Sequence, residues 1–137
     1  MAGQSSAVDT IKANFKTAID SLGITGLTVL TNRPVKDQAE PYCYMFCPSE
    51  TDGIDNKDYW GNNTLITIRL FDRAYNDENI NTWSNQIITK LTGTTFTLTG
   101  HKAIYINRDL LMIAPDPDAD VWSSTIVMRI LSQGNAR

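Results

Sequence analysis

Two stretches of the chain carry hydrophobic residues at the three- and four-residue spacing of an amphipathic helix. In SSAVDTIKANFKTAIDSLGI the apolar positions are Val8, Ile11, Phe15, Ile19 and Leu22. In NDENINTWSNQIITKLTG they are Ile80, Trp83, Ile87 and Leu91. Ser5 or Ser6 can cap the start of the first stretch, and Asp77 or Asn76 can cap the second. Gly23 and Gly93 follow the two stretches, as is typical of helix ends. The pattern predicts two helices, each with one buried face.

The other apolar segments are short and rich in β-branched and aromatic residues, which indicates strands. They are GLTVLT, PYCYMFC, NTLITIRLF, TTFTLTGHKAIYI, RDLLMIAP and VWSSTIVMRIL. The PYCYMFC segment has no polar alternation, so we expect a central strand that is covered on both faces. In VWSSTIVMRIL the alternation places Trp122, Ser124, Ile126, Met128 and Ile130 on one face.

The predicted order is helix, three strands, helix, and then three or four strands, depending on whether RDLLMIAP forms a strand of its own. This order predicts an α+β fold in which two helices pack on a mixed, mainly antiparallel sheet. A length of 137 residues suits a single domain, 1–137. The polar ends, 1–5 and 132–137, are expected to be flexible.

Composition narrows the class of protein. A net charge of −3 argues against a protein that binds nucleic acid tightly, because such a protein usually has a basic face. Two cysteines, Cys43 and Cys47, give no disulfide framework, and on one strand they would lie about 13 Å apart. We therefore expect them to be buried thiols. The sequence has no apolar run of membrane-spanning length and no secretory signal, which predicts a protein made in a cytosol.

The sequence contains no complete motif for catalysis or metal binding. The DPDAD run has the alternating carboxylates of a calcium loop, but its sixth and twelfth positions are Val121 and Val127 where glycine and glutamate are needed. The one histidine, His101, is expected in an exposed turn with no partner for nucleophilic chemistry. We predict no catalytic residue, no metal and no cofactor. A small cytosolic hydrolase or a binding domain is the minor alternative.

Charge is unevenly distributed among three predicted polar loops, 33–40, 48–59 and 114–120. Two of the loops are acidic, and their carboxylates are Glu50, Asp52, Asp55, Asp58, Asp116, Asp118 and Asp120. The basic candidates for an interface are Arg33, Lys36, Lys102 and Arg108. Such a division suits head-to-tail contacts between identical subunits, while plain solvation of the loops explains the same residues.

The placement of the three tryptophans resembles the minor tail protein U family of lambda-like phages, the tail terminator proteins. Trp60 stands before NTLITIRLF, Trp83 lies on the buried face of a capped helix, and Trp122 follows the acidic DPDAD run and leads the final WSSTIVMRI strand. EPYCYMFC ahead of an acidic loop is similar as well. The resemblance covers residues 7 to 131. The chain departs from the family's pattern in its two cysteines, in TGHKAIYI and in the polar tail after Leu131.

The resemblance implies a structural virion protein that is not an enzyme. Such a protein forms a hexameric ring on the head-proximal end of a siphophage tail, stops tube polymerisation, and is assembled in the host cytoplasm. Its partners would be further copies of itself, the tail tube protein and a head-completion or connector protein. Trp83 and Trp122 would anchor the core, and the acidic loops would line a bore through which DNA passes without specific binding. A related neck or tail-completion protein is the alternative.

Overall fold

The computed structural model describes residues 6–35, 38–55, 60–92, 97–98, 101–115 and 120–134. Within these ranges the chain forms two helices and six strands. In chain order they are α1 (Val8–Asp20), β1 (Thr28–Leu30), β2 (Tyr42–Asp55), β3 (Trp60–Arg73), α2 (Glu78–Thr92), β4 (Thr97–Leu98), β5 (His101–Pro115) and β6 (Val121–Gly134). Neither of these helices is long and apolar enough to cross a membrane.

The strands form one sheet in the order β1-β2-β3-β6-β5-β4. β1 pairs with β2 in parallel, and every other pairing is antiparallel. The predicted α+β class, with two helices on a mixed, mainly antiparallel sheet in a single domain, is confirmed. RDLLMIAP is not a separate strand, because it continues β5 through two irregularities of register, at Ala103/Tyr105 and Arg108/Leu110.

The N-cap position of α1 is Ala7, which makes no side-chain cap hydrogen bond, so the predicted cap at Ser6 is wrong by one residue. The Ser6 hydroxyl accepts a hydrogen bond from the Val8 amide at 3.1 Å, and the Asn76 side chain accepts one from the Glu78 amide at 3.1 Å. After α1, Gly23 adopts a left-handed φ of 67°, which residues with a Cβ rarely adopt. The alternative cap Ser5, the predicted stop Gly93 and the ends 1–5 and 135–137 lie outside the described residues, while β6 continues to Gly134.

The core lies between the two helices and one face of the sheet, here called the inner face. Its fully buried members come from the predicted stripes of both helices and from alternate positions of β3 and β6. They include Ile11, Phe15, Ile19, Ile80, Ile87, Leu91, Ile66, Ile68, Leu70, Ile126, Met128 and Ile130. Trp83 and Trp122 pack against this core from its margin and are partly exposed, because a large indole is seldom enclosed completely.

The predicted loop 48–59 is wrong for residues 48–55, which continue β2. The extension pairs with β3 over Glu50↔Thr64, Thr51↔Asn63 and Asp52↔Asn62, and register shifts after Phe46 and Asp52 absorb its irregular sequence. One shift spans Pro48, which has no amide hydrogen to donate. A polar composition was therefore compatible with a strand, because the backbone of β3 satisfies the hydrogen bonds.

The expectation that PYCYMFC is covered on both faces is also wrong. Cys43 and Met45 are buried on the inner face, but the Phe46 side chain keeps 41% of its surface exposed. β2 is an interior strand of the sheet, as predicted, with β1 and β3 on either side. Both helices lie on the inner face, which leaves the other side chains of this strand without a covering layer.

Glu50 connects the extension of β2 to the start of α1. Its Oε2 accepts hydrogen bonds from the Ala7 amide and from the Thr64 hydroxyl, each at 3.0 Å. Ala7 is fully buried, and its amide precedes the first turn of the helix. A carboxylate at a helix N-terminus also interacts favourably with the helix dipole. Glu50 is therefore a joint between helix and sheet.

We predict that Glu50→Gln lowers the free energy of unfolding by about 1 kcal/mol, because the amide keeps an acceptor but loses the charge that strengthens both bonds. Urea unfolding followed by circular dichroism measures the change. Glu78→Gln is the matched control, since Glu78 lies in the first turn of α2 and is exposed. Equal losses in the two variants would show that the dipole alone is responsible and that the joint contributes nothing.

A second joint connects α2 to β6. The Ser84 hydroxyl donates to the Ser124 hydroxyl at 2.7 Å, and both side chains are fully buried. Removal of either partner leaves a buried polar group unpaired, whereas removal of both leaves none.

Ser84→Ala or Ser124→Ala alone is therefore expected to cost about 1–3 kcal/mol, and the double variant is expected to cost less than the sum of the two. A double-mutant cycle by urea unfolding measures this difference. Additive losses would contradict the pairing.

Candidate assembly surfaces

The face of the sheet opposite the helices, here called the outer face, exposes large apolar side chains. Phe46, Tyr105, Leu110 and Met112 are 41%, 45%, 45% and 57% exposed. The register places Phe46 opposite Thr67, Thr67 opposite Val127, and Val127 opposite Leu110, so one row crosses four strands. An apolar surface of this kind is typical of an interface. The missing polar alternation in PYCYMFC was the signal for it.

Aromatic rings are stacked at the β2–β3 side of the outer face. The ring centroids of Tyr42 and Phe71 are 5.0 Å apart, and those of Tyr44 and Phe71 are 6.3 Å apart. The Arg69 guanidinium lies 5.1 Å from the centroid of Phe71. Arg69 lies inside the predicted strand NTLITIRLF, so its position alone did not indicate a candidate interface residue. Its alternation with Leu65 and Thr67 on the outer face is the signal that could have done so.

A cavity of about 300 Å³ adjoins this stack. Its described lining consists of Arg33, Tyr44, Met45, Phe46 and Arg69, and it is called the arginine cavity below. Arg33 is exposed, and the Nε of Arg69 is buried without a hydrogen-bond partner among the described residues. The cavity therefore combines two cationic groups with aromatic walls.

The structure does not bring the acidic candidates together. Asp52 and Asp55 pair through their backbones with Asn62 and Trp60, at the start of β3. Asp120 is exposed at the other end, where its carbonyl oxygen accepts a hydrogen bond from the Ala74 amide at 3.0 Å. The 14 residues of β3 span about 43 Å between these ends.

That separation exceeds the Debye length of about 8 Å at physiological salt, so the two acidic groups act independently within a subunit. Glu50 is partly buried in its joint. Asp58, Asp116 and Asp118 lie outside the described residues, and the side chains of Asp52 and Asp55 are not described.

The basic candidates are likewise dispersed. Arg33 lines the arginine cavity beside β2, whereas Arg108 is exposed on β5, beyond β3 and β6. The backbone of Lys102 pairs with Thr97 and Gln133, and its side chain is not described. Lys36 lies outside the described residues. Arg33 is thus placed in a described concave site.

The segment between β3 and α2 forms a projecting acidic tip that the sequence did not reveal. Tyr75 is 99% exposed. Asp77 and Glu78 follow it, and the Ala74–Asp120 backbone bond holds Asp120 beside it. Residues 74–78 together with Asp120 are called the acidic tip below. A polar stretch directly before a capped helix is a common sequence, which is why Tyr75 gave no distinctive signal.

The residues with thiol or imidazole chemistry form no reactive site within the described chain. Burial raises the pKa of the Cys43 thiol to about 12, and burial, followed by the nearby Glu50 charge, raises the pKa of Cys47. Cys43 is buried as expected, whereas Cys47 is partly exposed, and both are free thiols. His101 is the first residue of β5, paired with Leu98 and Gly134. The described residues contain no cluster of metal-ligating side chains.

Asp72, at the end of β3, is a buried carboxylate with an incomplete set of partners. Its side chain is 5% exposed, and its Oδ2 has no hydrogen-bond partner among the described residues. Burial raises the pKa of Asp72, a hydrogen bond from Asn79 lowers it, and the Glu40 charge raises it, with a net upward shift. A carboxyl group whose pKa is raised by folding destabilises the folded state once it is ionised.

We therefore predict that Asp72→Asn is more stable than the parent at pH 7, because the neutral amide removes the buried charge. The advantage should shrink as the pH falls through the raised pKa of Asp72 and vanish below the ordinary value of 3.8. Thermal midpoints from pH 3 to pH 8 measure this, with the exposed Asp120→Asn as control. An advantage that does not depend on pH would refute the electrostatic cause.

Comparisons with known proteins identify the fold. No family model matches the chain, and no curated protein matches it. A chain from a solved structure titled "Virion of native gene transfer agent (GTA) particle" has a TM-score of 0.75 and 14% sequence identity. The alignment covers 96% of this chain and 100% of that chain. The two chains therefore share one fold over essentially their whole lengths.

Proposed function

We propose that this chain is a structural subunit of a phage-like particle and acts as its tail terminator. In this role it forms a homohexameric ring on the head-proximal end of the tail tube. The ring stops tube polymerisation and presents the surface that a head-completion or connector protein joins. The end-to-end match in fold to a chain of a virion particle supports the class, and the tryptophan and acidic pattern of the sequence favours the terminator.

The observation that carries the proposal is the open outer face of the sheet. A subunit that worked alone would leave Phe46, Leu110 and Met112 in water at a cost in free energy. Contact with a second subunit or with the tube protein removes that surface from water. The outer face therefore favours a subunit of an assembly over a small hydrolase or a ligand-binding domain.

In the ring, the described acidic candidates form two separate acidic rims. Asp52 and Asp55 lie at one end of β3, and Asp120 lies at the other. A rim that faces the bore repels the phosphate backbone, so DNA passes without being held. A basic lining would bind phosphates and release counterions. The net charge of −3 for each subunit is consistent with this role.

A related neck or tail-completion protein is the second candidate, because a match to a virion chain favours it as well. The two roles differ in their target. A terminator binds the end of a growing tube and limits its length, whereas a neck protein binds the finished tube or the head and leaves polymerisation unchanged.

We expect the purified chain to form rings of about six copies with an open centre, seen by native mass spectrometry and negative-stain microscopy. Added to polymerising tail tube protein, it should shorten the tubes in proportion to its concentration. Met112→Glu should weaken ring formation at least about tenfold if the outer face contributes about 1.4 kcal/mol to each contact.

Asn85→Glu is the matched control, because it adds the same charge at an exposed position of α2 on the other side of the molecule. Rings that form but leave tube length unchanged would favour the neck protein. A strict monomer in every condition would refute the ring.

A further inference from the structure

We propose that the acidic tip of one subunit docks into the arginine cavity of the next subunit, with Tyr75 as the anchor. This inference rests on the proposed function, because it takes the occupant of the cavity to be a second copy of this chain. It goes further by naming the two surfaces that meet and by making the contact head to tail.

The tip has the properties of an interface anchor. Tyr75 is 99% exposed, so its ring makes almost no contact within its own subunit. Tyrosine is among the residues that contribute most to binding when a pocket encloses them. Asp77 and Glu78 follow it in the chain, and the backbone bond to Ala74 holds Asp120 nearby. None of these three carboxylates forms an ion pair among the described residues. The tip thus offers one aromatic ring together with carboxylates that have no ion-pair partner among the described residues.

The cavity offers the complementary groups. Tyr44 and Phe46 provide aromatic walls, and Arg33 and Arg69 provide positive charge without an ion-pair partner among the described residues. Burial of these guanidinium groups under an apolar side chain alone would be costly. A tip that brings carboxylates together with its aromatic ring avoids that cost, because charge-assisted hydrogen bonds replace the lost water. Charge complementarity therefore favours the acidic tip over a purely apolar occupant.

The geometry prevents a subunit from filling its own cavity. Arg69 precedes the end of β3 by four residues, about 13 Å along the strand. Beyond that end, the Ala74–Asp120 bond and the start of α2 at Glu78 fix the tip where it is. The two surfaces are thus different and separate on one molecule. When such a contact repeats head to tail from one subunit to the next, it is heterologous and closes a ring or extends a filament.

The test uses one variant on each surface of the full chain. Tyr75→Ala removes the anchor and leaves the cavity intact, whereas Arg33→Glu reverses a charge of the cavity and leaves the tip intact. Both positions are exposed, so folding is checked by circular dichroism and melting temperature. Each variant alone should associate at least tenfold more weakly than the parent in sedimentation velocity. Lys16→Glu is the matched control, because it reverses the charge of a half-exposed cation on α1 that does not line the cavity, and it should form rings as the parent does.

Mixing the variants gives the decisive result. An Arg33→Glu subunit keeps an intact tip, and a Tyr75→Ala subunit keeps an intact cavity. One subunit of each kind can therefore form one intact contact, while the altered tip and the altered cavity of the pair cannot bind a further subunit. An equimolar mixture should therefore give one-to-one dimers by native mass spectrometry and no rings. Full rings in the mixture, or rings from both single variants, would overturn the docking while leaving the ring itself standing. A parent chain that stays monomeric would overturn the ring and the docking together.

Discussion

The rest of the structure depends on the antiparallel pairing of β3 with β6, which runs without interruption from Gly61↔Gln133 to Arg73↔Val121. This ladder places Ile66, Ile68 and Leu70 beside Met128, Ile126 and Ser124 on the inner face. Two helices pack on that face, and these six side chains are fully buried. The burial supplies the main stabilisation, because the free energy gained is roughly proportional to the apolar area removed from water.

The same arrangement leaves the outer face of the sheet without a covering layer of helices among the described elements. Two helices on one side of a six-stranded sheet cannot cover its other side, so the outer face keeps Phe46, Leu110 and Met112 exposed. In a single-chain enzyme such a face would usually be polar. Here its composition continues the apolar character of the inner strands. The outer face is therefore suited to contact with a neighbouring molecule.

The distribution of charge limits the orientations in which subunits can associate. Arginines lie at the arginine cavity beside β2, and carboxylates lie at the acidic tip beyond the end of β3. Neither group forms an ion pair with another described residue. An apolar face alone would permit many modes of association, because the hydrophobic effect has no preferred direction. In the proposed docking, opposite charges at separate sites favour orientations that bring a tip to a cavity over those in which like charges meet.

The sequence by itself determined both helices, the order of the elements and the α+β class. Helical and strand periodicities are local properties, and residues such as Ile80, Ile87 and Leu91 follow them directly. The buried alternation of β6 from Ser124 to Ile130 was determined in the same way. Only the tertiary structure decided that residues 48–55 extend β2, since polar residues accept a strand when a partner satisfies their backbone. It also decided that Phe46 is exposed, that Asp55 and Asp120 lie at opposite ends of β3, and that Arg69 and Arg33 line one cavity. These facts depend on which strands pair and in which register, and that choice is made by contacts between residues far apart in the chain.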